Sequence, residues 1–204
     1  DASVANSPVT NSVTLSTVSN AMSKLLYASG VENLATAGFG VGGCAMVIAG
    51  LNQWGVPFAD MLANALNSEG GGARSNRDGN NSFGFPWGWW GKAPDVEDME
   101  NEQPHVHLFF NHWKDSGGFG KYRGGAGTTV AWAVHKVPQL VYQSIIKNHK
   151  VPTVQGLFGG YPPASHPGIK VVNANYFEKM AHGDRDLPKN VLELIKDKSI
   201  DGDY

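Results

Sequence analysis

Asp115-Ser116-Gly117-Gly118-Phe119-Gly120-Lys121-Tyr122-Arg123-Gly124-Gly125 places five glycines and two cations in eleven positions. A helix or strand interior does not hold that density, because each glycine forfeits backbone entropy and packing. The run is a loop whose successive N–H groups could converge on an anion, with Lys121 or Arg123 adding charge. It is neither a Walker loop nor a dinucleotide fingerprint, since no helix follows it. A structural hairpin or a subunit contact is the competing reading. His105 and His107 would share one face of a strand, which suits metal ligation, with Val106 pointing the other way. However, His112 lies beyond the strand and no carboxylate is tied to them by a recognised spacing, so no metal site is expected on this chain. Cys44 stands alone among small apolar residues and reads as a buried, inert thiol. Ser165-His166 lies among prolines without the glycines of a nucleophile elbow, which argues against a serine hydrolase. Trp87, Trp89 and Trp90 could line an apolar pocket or a domain or subunit contact. No complete catalytic set emerges from the residues alone.

The elements that would position these groups form an α+β pattern, with long glycine-rich loops, a few short helices and a sheet-rich second half. Leu15, Val18, Met22, Leu25 and Leu26 recur at helical spacing, with Ser12 or Thr14 as cap and Gly30 as stop. Val41 to Leu51 predicts a buried strand or a tight crossing. Pro57 is placed to open a short helix with Phe58, Met61, Leu62, Ala65 and Leu66 on one face. Glu69 to Pro94 is a long irregular segment, of the kind that is functional or disordered, and its tryptophans argue against disorder. Asp95 to Glu102 reads as a solvated face or a short helix. His105–Phe110, Thr128–His135, Leu140–Ile146 and Ile169–Val172 read as strands, so the glycine loop joins two of them. Asp186 and Pro188 would open a last helix carrying Val191, Leu192 and Ile195. Residues 1–103 thus form a helical and loop region and residues 104–204 a sheet-rich region, read together as one continuous domain of a larger subunit.

Composition narrows the function classes. The 204 residues include only 17% charged ones, against about a quarter in typical soluble domains. The deficit points to a surface covered by other protein, or to dilution by 26 glycines and 11 prolines. A net charge of −2 without a basic stripe argues against nucleic acid or an anionic membrane as partner. A single cysteine excludes an internal disulfide and suits a reducing compartment, hence a cytoplasmic protein. No apolar run reaches membrane-spanning length, and Asp1-Ala2-Ser3 reads as the start of a processed or excised piece.

Asp115 to Gly125 resembles the DSGG-x-G-[RK]-[YF]-RGG segment of the hydantoinase B / 5-oxoprolinase superfamily. Gly70 to Ala73 with Asp78-Gly79 is similar to that family's glycine pair and DG element, and Glu100 with Pro104 to its E-x-x-x-P. Gly156-Leu157-Phe158-Gly159-Gly160-Tyr161-Pro162 looks most like the GL-x-GGYP segment of the ketone carboxylases. The resemblance therefore implies a central-to-late segment of the large, B-type subunit of an acetone/acetophenone-type ATP-dependent carboxylase. A hydantoinase, 5-oxoprolinase or lactamase relative, or a non-catalytic assembly module, is the alternative. It implies an ATP-binding A-type subunit and the remainder of the B-type subunit as partners, and a small ketone and bicarbonate as substrates. ATP and a divalent metal are expected elsewhere in the complex, because the family's histidine–aspartate ligand motif and its closing GGGxGDP-like element have no counterpart here. No catalytic residue is assigned. The substrate-channel or loop candidates are Asp115, Ser116, Gly117, Gly118, Gly120, Lys121, Arg123, Gly124, Gly125, Gly159, Gly160 and Tyr161.

Overall fold

A computed structural model describes residues 8–34, 36–37, 45–61, 69–83, 95–145, 152, 154–165 and 168–204. Helix α1 (Pro8–Ala28) opens on a proline, whose missing N–H costs nothing in a first turn. Ser12 and Thr14 consequently lie inside the helix rather than capping it. It stops as expected at Gly30, whose φ of 79° lets the Val31 N–H return to the Leu26 carbonyl at 2.9 Å. Val18, Met22 and Leu25 of this helix are exposed, and among its described side chains Ser23 is the buried one, its hydroxyl accepting from the Thr36 N–H.

Strands β1 (Ala45–Leu51) and β2 (Pro57–Met61) form an antiparallel hairpin where the sequence suggested a strand followed by a helix. The turn chemistry overrides the helical spacing. Asn52 Oδ1 accepts from the Trp54 and Val56 N–H groups at 3.1 and 2.9 Å, and Gly55 takes a φ of 77°. That turn sends Pro57 back along β1, at the edge of the sheet where its absent donor is harmless. Strand β5 (Val141–Ile145) pairs with the other side of β1, giving the order β2-β1-β5. The pairing of β1 with β5 ties the first half of the chain to the second.

Helix α2 (Val96–Glu102) starts at Asp95, whose carboxylate accepts from the Glu97 N–H. It leads into β3 (His105–His112), which pairs antiparallel with β4 (Thr128–Val134). The glycine-rich run thus joins two strands, as the sequence suggested. The register slips between His107 and Phe109, a bulge that turns Leu108 out of step with its neighbours. Successive β4 residues face opposite ways and seed two cores. Trp132 packs with Phe58 and Tyr142 on Ile48 and Met99, while Ala133 joins Tyr176 and Ile200 beneath Leu108, Ala174, Leu187 and Leu194.

The C-terminal part is held by side chains more than by strands. Ile169 to Val172 does not form a strand; only Val172 pairs, with Asp203, through two backbone bonds of 2.8 and 2.9 Å. Helix α3 (Tyr176–Ala181) places the Tyr176 hydroxyl to donate to the Val134 carbonyl at the end of β4. Helix α4 (Val191–Ile195) begins later than Asp186 and Pro188 implied. Asn190 caps it, accepting from Leu192 and Glu193 N–H at 2.9 and 3.0 Å, while Glu193 takes the Lys189 N–H in return. Cys44, Trp87, Trp89, Trp90 and His166 lie outside the described residues. Among the described residues no helix is long and apolar enough to cross a membrane.

Candidate functional site: a glycine-built loop junction

The loop between β3 and β4 meets two other segments backbone to backbone. A Cβ on Gly125 would stand 1.9 Å from the Asn80 carbonyl oxygen, and one on Gly70 would stand 1.9 Å from the Gly125 oxygen. The same holds for Gly79 against Gly71 at 2.0 Å, Gly117 against Gly124 at 2.1 Å and Gly118 against Tyr161 at 2.2 Å. No side chain fits at such separations, so glycine is required there by close approach. The contacts are hydrogen-bonded: Gly71 N–H to Asn80, Gly125 N–H to Gly71, Gly79 N–H to Arg123 and Tyr161 N–H to Phe119, each at 2.8 Å. Segments 70–82, 116–126 and 156–164 are thereby locked into one unit.

Polar side chains complete the lock. Ser116 is buried, its hydroxyl donating to the Trp113 carbonyl at 2.8 Å and accepting from the Gly127 N–H at 2.9 Å. Asp78 accepts from the Arg123 N–H at 2.9 Å and pairs with its guanidinium at 3.6 Å. Asn81 receives both the Arg123 guanidinium and the Ala126 N–H. Asp115 is exposed and held at a φ of 58°. Lys121 is exposed, its ammonium 5.5 Å from the Tyr122 ring centre. Gly159 turns at a φ of 90°, Gly160 packs against Gly156, and Tyr161 projects outward. A cleft of about 1400 Å³ opens beside the junction, lined by these loops and by Leu108, Val130, Trp132, Tyr142 and Leu194.

Every loop candidate named from the sequence therefore falls in one place, and the structure divides them. Arg123 and Ser116 are occupied in holding the backbone, whereas Lys121, Asp115 and Tyr161 face outward. Asp78 and Asn81 belong to the same unit, and the sequence reading missed their part in it. The Asp-Gly step at 78–79 was their visible signal.

A second group of polar residues lies at the start of β3. His105 is 1% exposed, and neither of its ring nitrogens has a hydrogen-bond partner among the described residues. The His107 N–H donates to Glu100 Oε1 at 2.7 Å, and its Nδ1 lies 3.4 Å from the same oxygen. The two imidazoles stand 5.2 Å apart. Burial, then the neighbouring His107, lowers the His105 pKa to about 4, against a smaller upward pull from Glu100. Burial lowers that of His107 too, with Glu100 opposing. Both rings are therefore neutral at pH 7. Among the described residues, no three His, Cys, Asp or Glu side chains are arranged to hold a metal ion.

Comparison with known proteins gives the family. A model of the hydantoinase B/oxoprolinase family matches residues 2–197, and the chain belongs to that family. It is 48% identical over 190 residues to the acetophenone carboxylase delta subunit of Aromatoleum aromaticum, a match covering 93% of this chain and 28% of that protein. It is 32% identical over 116 residues to the acetone carboxylase alpha subunit of Xanthobacter autotrophicus, covering 57% of this chain and 15% of that one. Among solved structures it is similar to nucleotide-free acetone carboxylase, in work on the mechanism of ATP-dependent acetone carboxylation. That match has a TM-score of 0.69 at 27% identity, covering 81% of this chain and 22% of the other. The chain thus spans about a quarter of the length of these larger relatives.

Proposed function

We propose that this chain is part of a ketone carboxylase of the acetone/acetophenone type. In this reading it works with an ATP-binding A-type subunit and with the remainder of a B-type subunit. The observation that carries the reading is the 48% identity to a carboxylase subunit across 93% of the chain. The locked loop junction adds support, because a site for a small ketone and bicarbonate needs walls that do not move. Lys121, Asp115 and Tyr161 are the side chains that this frame presents outward, and they are the candidates for lining a substrate channel. ATP and a divalent metal belong to other parts of the complex in this proposal, and the complex works in the cytoplasm. The test is to purify the complex containing this chain and to measure ATP- and bicarbonate-dependent consumption of acetone or acetophenone. Activity confined to hydantoins, 5-oxoproline or lactams would transfer the chain to the hydrolase branch of the family.

The engagement of Arg123 with Asp78 and Asn81 favours a second reading, in which the loop is purely an assembly element. Lys121→Ala separates the two, since Lys121 takes no part in the lock. A complex that assembles normally but turns over slowly places Lys121 at the channel; normal assembly with normal turnover leaves the loop a structural module.

A further inference from the structure

We propose that Glu69 is a catalytic residue of the cleft, the base that takes a proton from the carbon next to the ketone carbonyl. Among the described residues it is the one buried carboxylate, 6% exposed. A glutamate is seldom buried, because taking a carboxylate out of water costs free energy. This fold does so on the wall of the opening that the carboxylase reading gives to the substrate. Glu32 and Glu69 are the carboxylates of that lining, and Glu32 is exposed. His105, buried as deeply, is not part of it. An ionisable group withdrawn from water on a cleft wall marks a candidate for chemistry.

The loop junction fixes the position of Glu69. Its neighbour Gly70 runs so close to Gly125 that a Cβ would stand 1.9 Å from the Gly125 oxygen. One residue further, the Gly71 N–H donates to Asn80 at 2.8 Å and the Gly71 carbonyl accepts from Gly125 at 2.8 Å. The backbone leaving Glu69 is therefore clamped by the same contacts that hold the 116–126 loop. Leu108, Val130 and Trp132 give the cleft apolar walls. A base held rigidly among such walls meets a bound ketone in one orientation, without water competing for its lone pairs.

Ketone carboxylation calls for such a group. The carbon beside the carbonyl is the one that gains the carboxyl, and one of its C–H bonds must break. In this step the Glu69 carboxylate takes the proton and becomes a carboxylic acid. The C–H electron pair becomes the carbon–carbon π bond of the enolate, and the carbonyl π pair moves onto oxygen. No oxidant or reductant enters. Arg74, Lys121 and Lys170 belong to the same lining and supply cations for the charge that gathers on that oxygen. The enolate carbon is then ready to bond to the carbon that bicarbonate provides.

This inference rests on the carboxylase reading, and its test tells the two apart. In the assembled complex, Glu69→Gln should lower kcat for ketone consumption at least ~100-fold, with KM within about threefold of the parent. Glu69→Ala should be as slow, and added formate should restore its rate at least ~10-fold, a rescue that a merely structural carboxylate would not show. Native mass spectrometry confirms that both variants assemble. A parent complex that consumes no ketone overturns the carboxylase reading and this inference with it. A ketone-consuming complex in which Glu69→Gln causes a smaller loss, or in which formate restores nothing, overturns this inference alone. Failure of both variants to assemble does the same, because Glu69 is then a structural residue.

Discussion

Acid should destabilise this fold through His105, and by an amount that the structure sets. The imidazole is 1% exposed and titrates near pH 4 in the folded chain, against 6.5 when unfolded. Between those values the unfolded chain holds more protons than the native one, so stability rises with pH and falls as pH drops from about 6.5 to about 4. A gap of about 2.5 pH units at ~1.4 kcal/mol each corresponds to roughly 3 kcal/mol. His107 is shifted in the same direction and adds to the loss. For a chain of this size, roughly 3 kcal/mol corresponds to a fall in Tm of about 6–12 °C. Urea unfolding at several values between about pH 4.5 and about pH 7.5 measures it, alongside the NMR titration of the His105 ring. His105→Phe, which replaces two unpartnered polar atoms with carbon, should leave stability at neutral pH within about 1 kcal/mol and flatten the acid limb. A His105 midpoint near 6.5, or superimposable acid limbs for the two proteins, would refute the reasoning.

Other consequences can be checked on the same footing. Gly125→Ala drives a Cβ to 1.9 Å from the Asn80 oxygen and should cost about 3 kcal/mol or more, read as a fall in the denaturant midpoint. Gly183→Ala meets no atom within 4 Å and should cost roughly 1 kcal/mol, from its φ of 68° alone. Asn190→Ala removes the cap of α4 and should cost about 1 kcal/mol, with hydrogen exchange rising first at Leu192 and Glu193. Tyr176→Phe leaves the Val134 carbonyl without its donor and should cost about 1–2 kcal/mol. It should also abolish the phenol titration that burial and Tyr142 push up to about 12, followed by ultraviolet difference absorbance.

The sequence was most legible where one residue type has one physical use. Five glycines in eleven positions announced the loop, and the pairing of β3 with β4 around it followed from the apolar runs on either side. The identity of the loop's partners was less open to view. Gly70, Gly79 and Gly117 are forced by backbone from elsewhere in the chain, and no local pattern states which carbonyl will stand opposite. The misread helix at Pro57 has a local cause. Phe58, Met61 and Leu62 fit a helical stripe, but Asn52 and Gly55 had already reversed the chain, and β1 offered an unpaired edge. Ile169 to Val172 failed as a strand because only Val172 finds a partner, Asp203. The isolation of His105 was invisible, since an imidazole that lacks hydrogen bonds is defined by its surroundings and not by its neighbours in sequence.

The backbone contacts at the loop junction also govern when the protein can fold. Gly79 bonds to Arg123, Gly125 to Gly71, and Tyr161 to Phe119. Each closure links residues some forty or more positions apart, and none is rewarded until both sides exist. Residues 70–82 can bond among themselves and to residues 32–37 early, but their contacts with the loop wait until the chain has been made through Ala126, and the loop tip waits for Tyr161. Long-range pairings of this kind slow folding, because loop closure comes before the contacts that repay it. On the ribosome, the pairing of this segment with the loop must therefore wait for some forty further residues, which leaves its loop-facing backbone open to proteases and chaperones in the newborn protein.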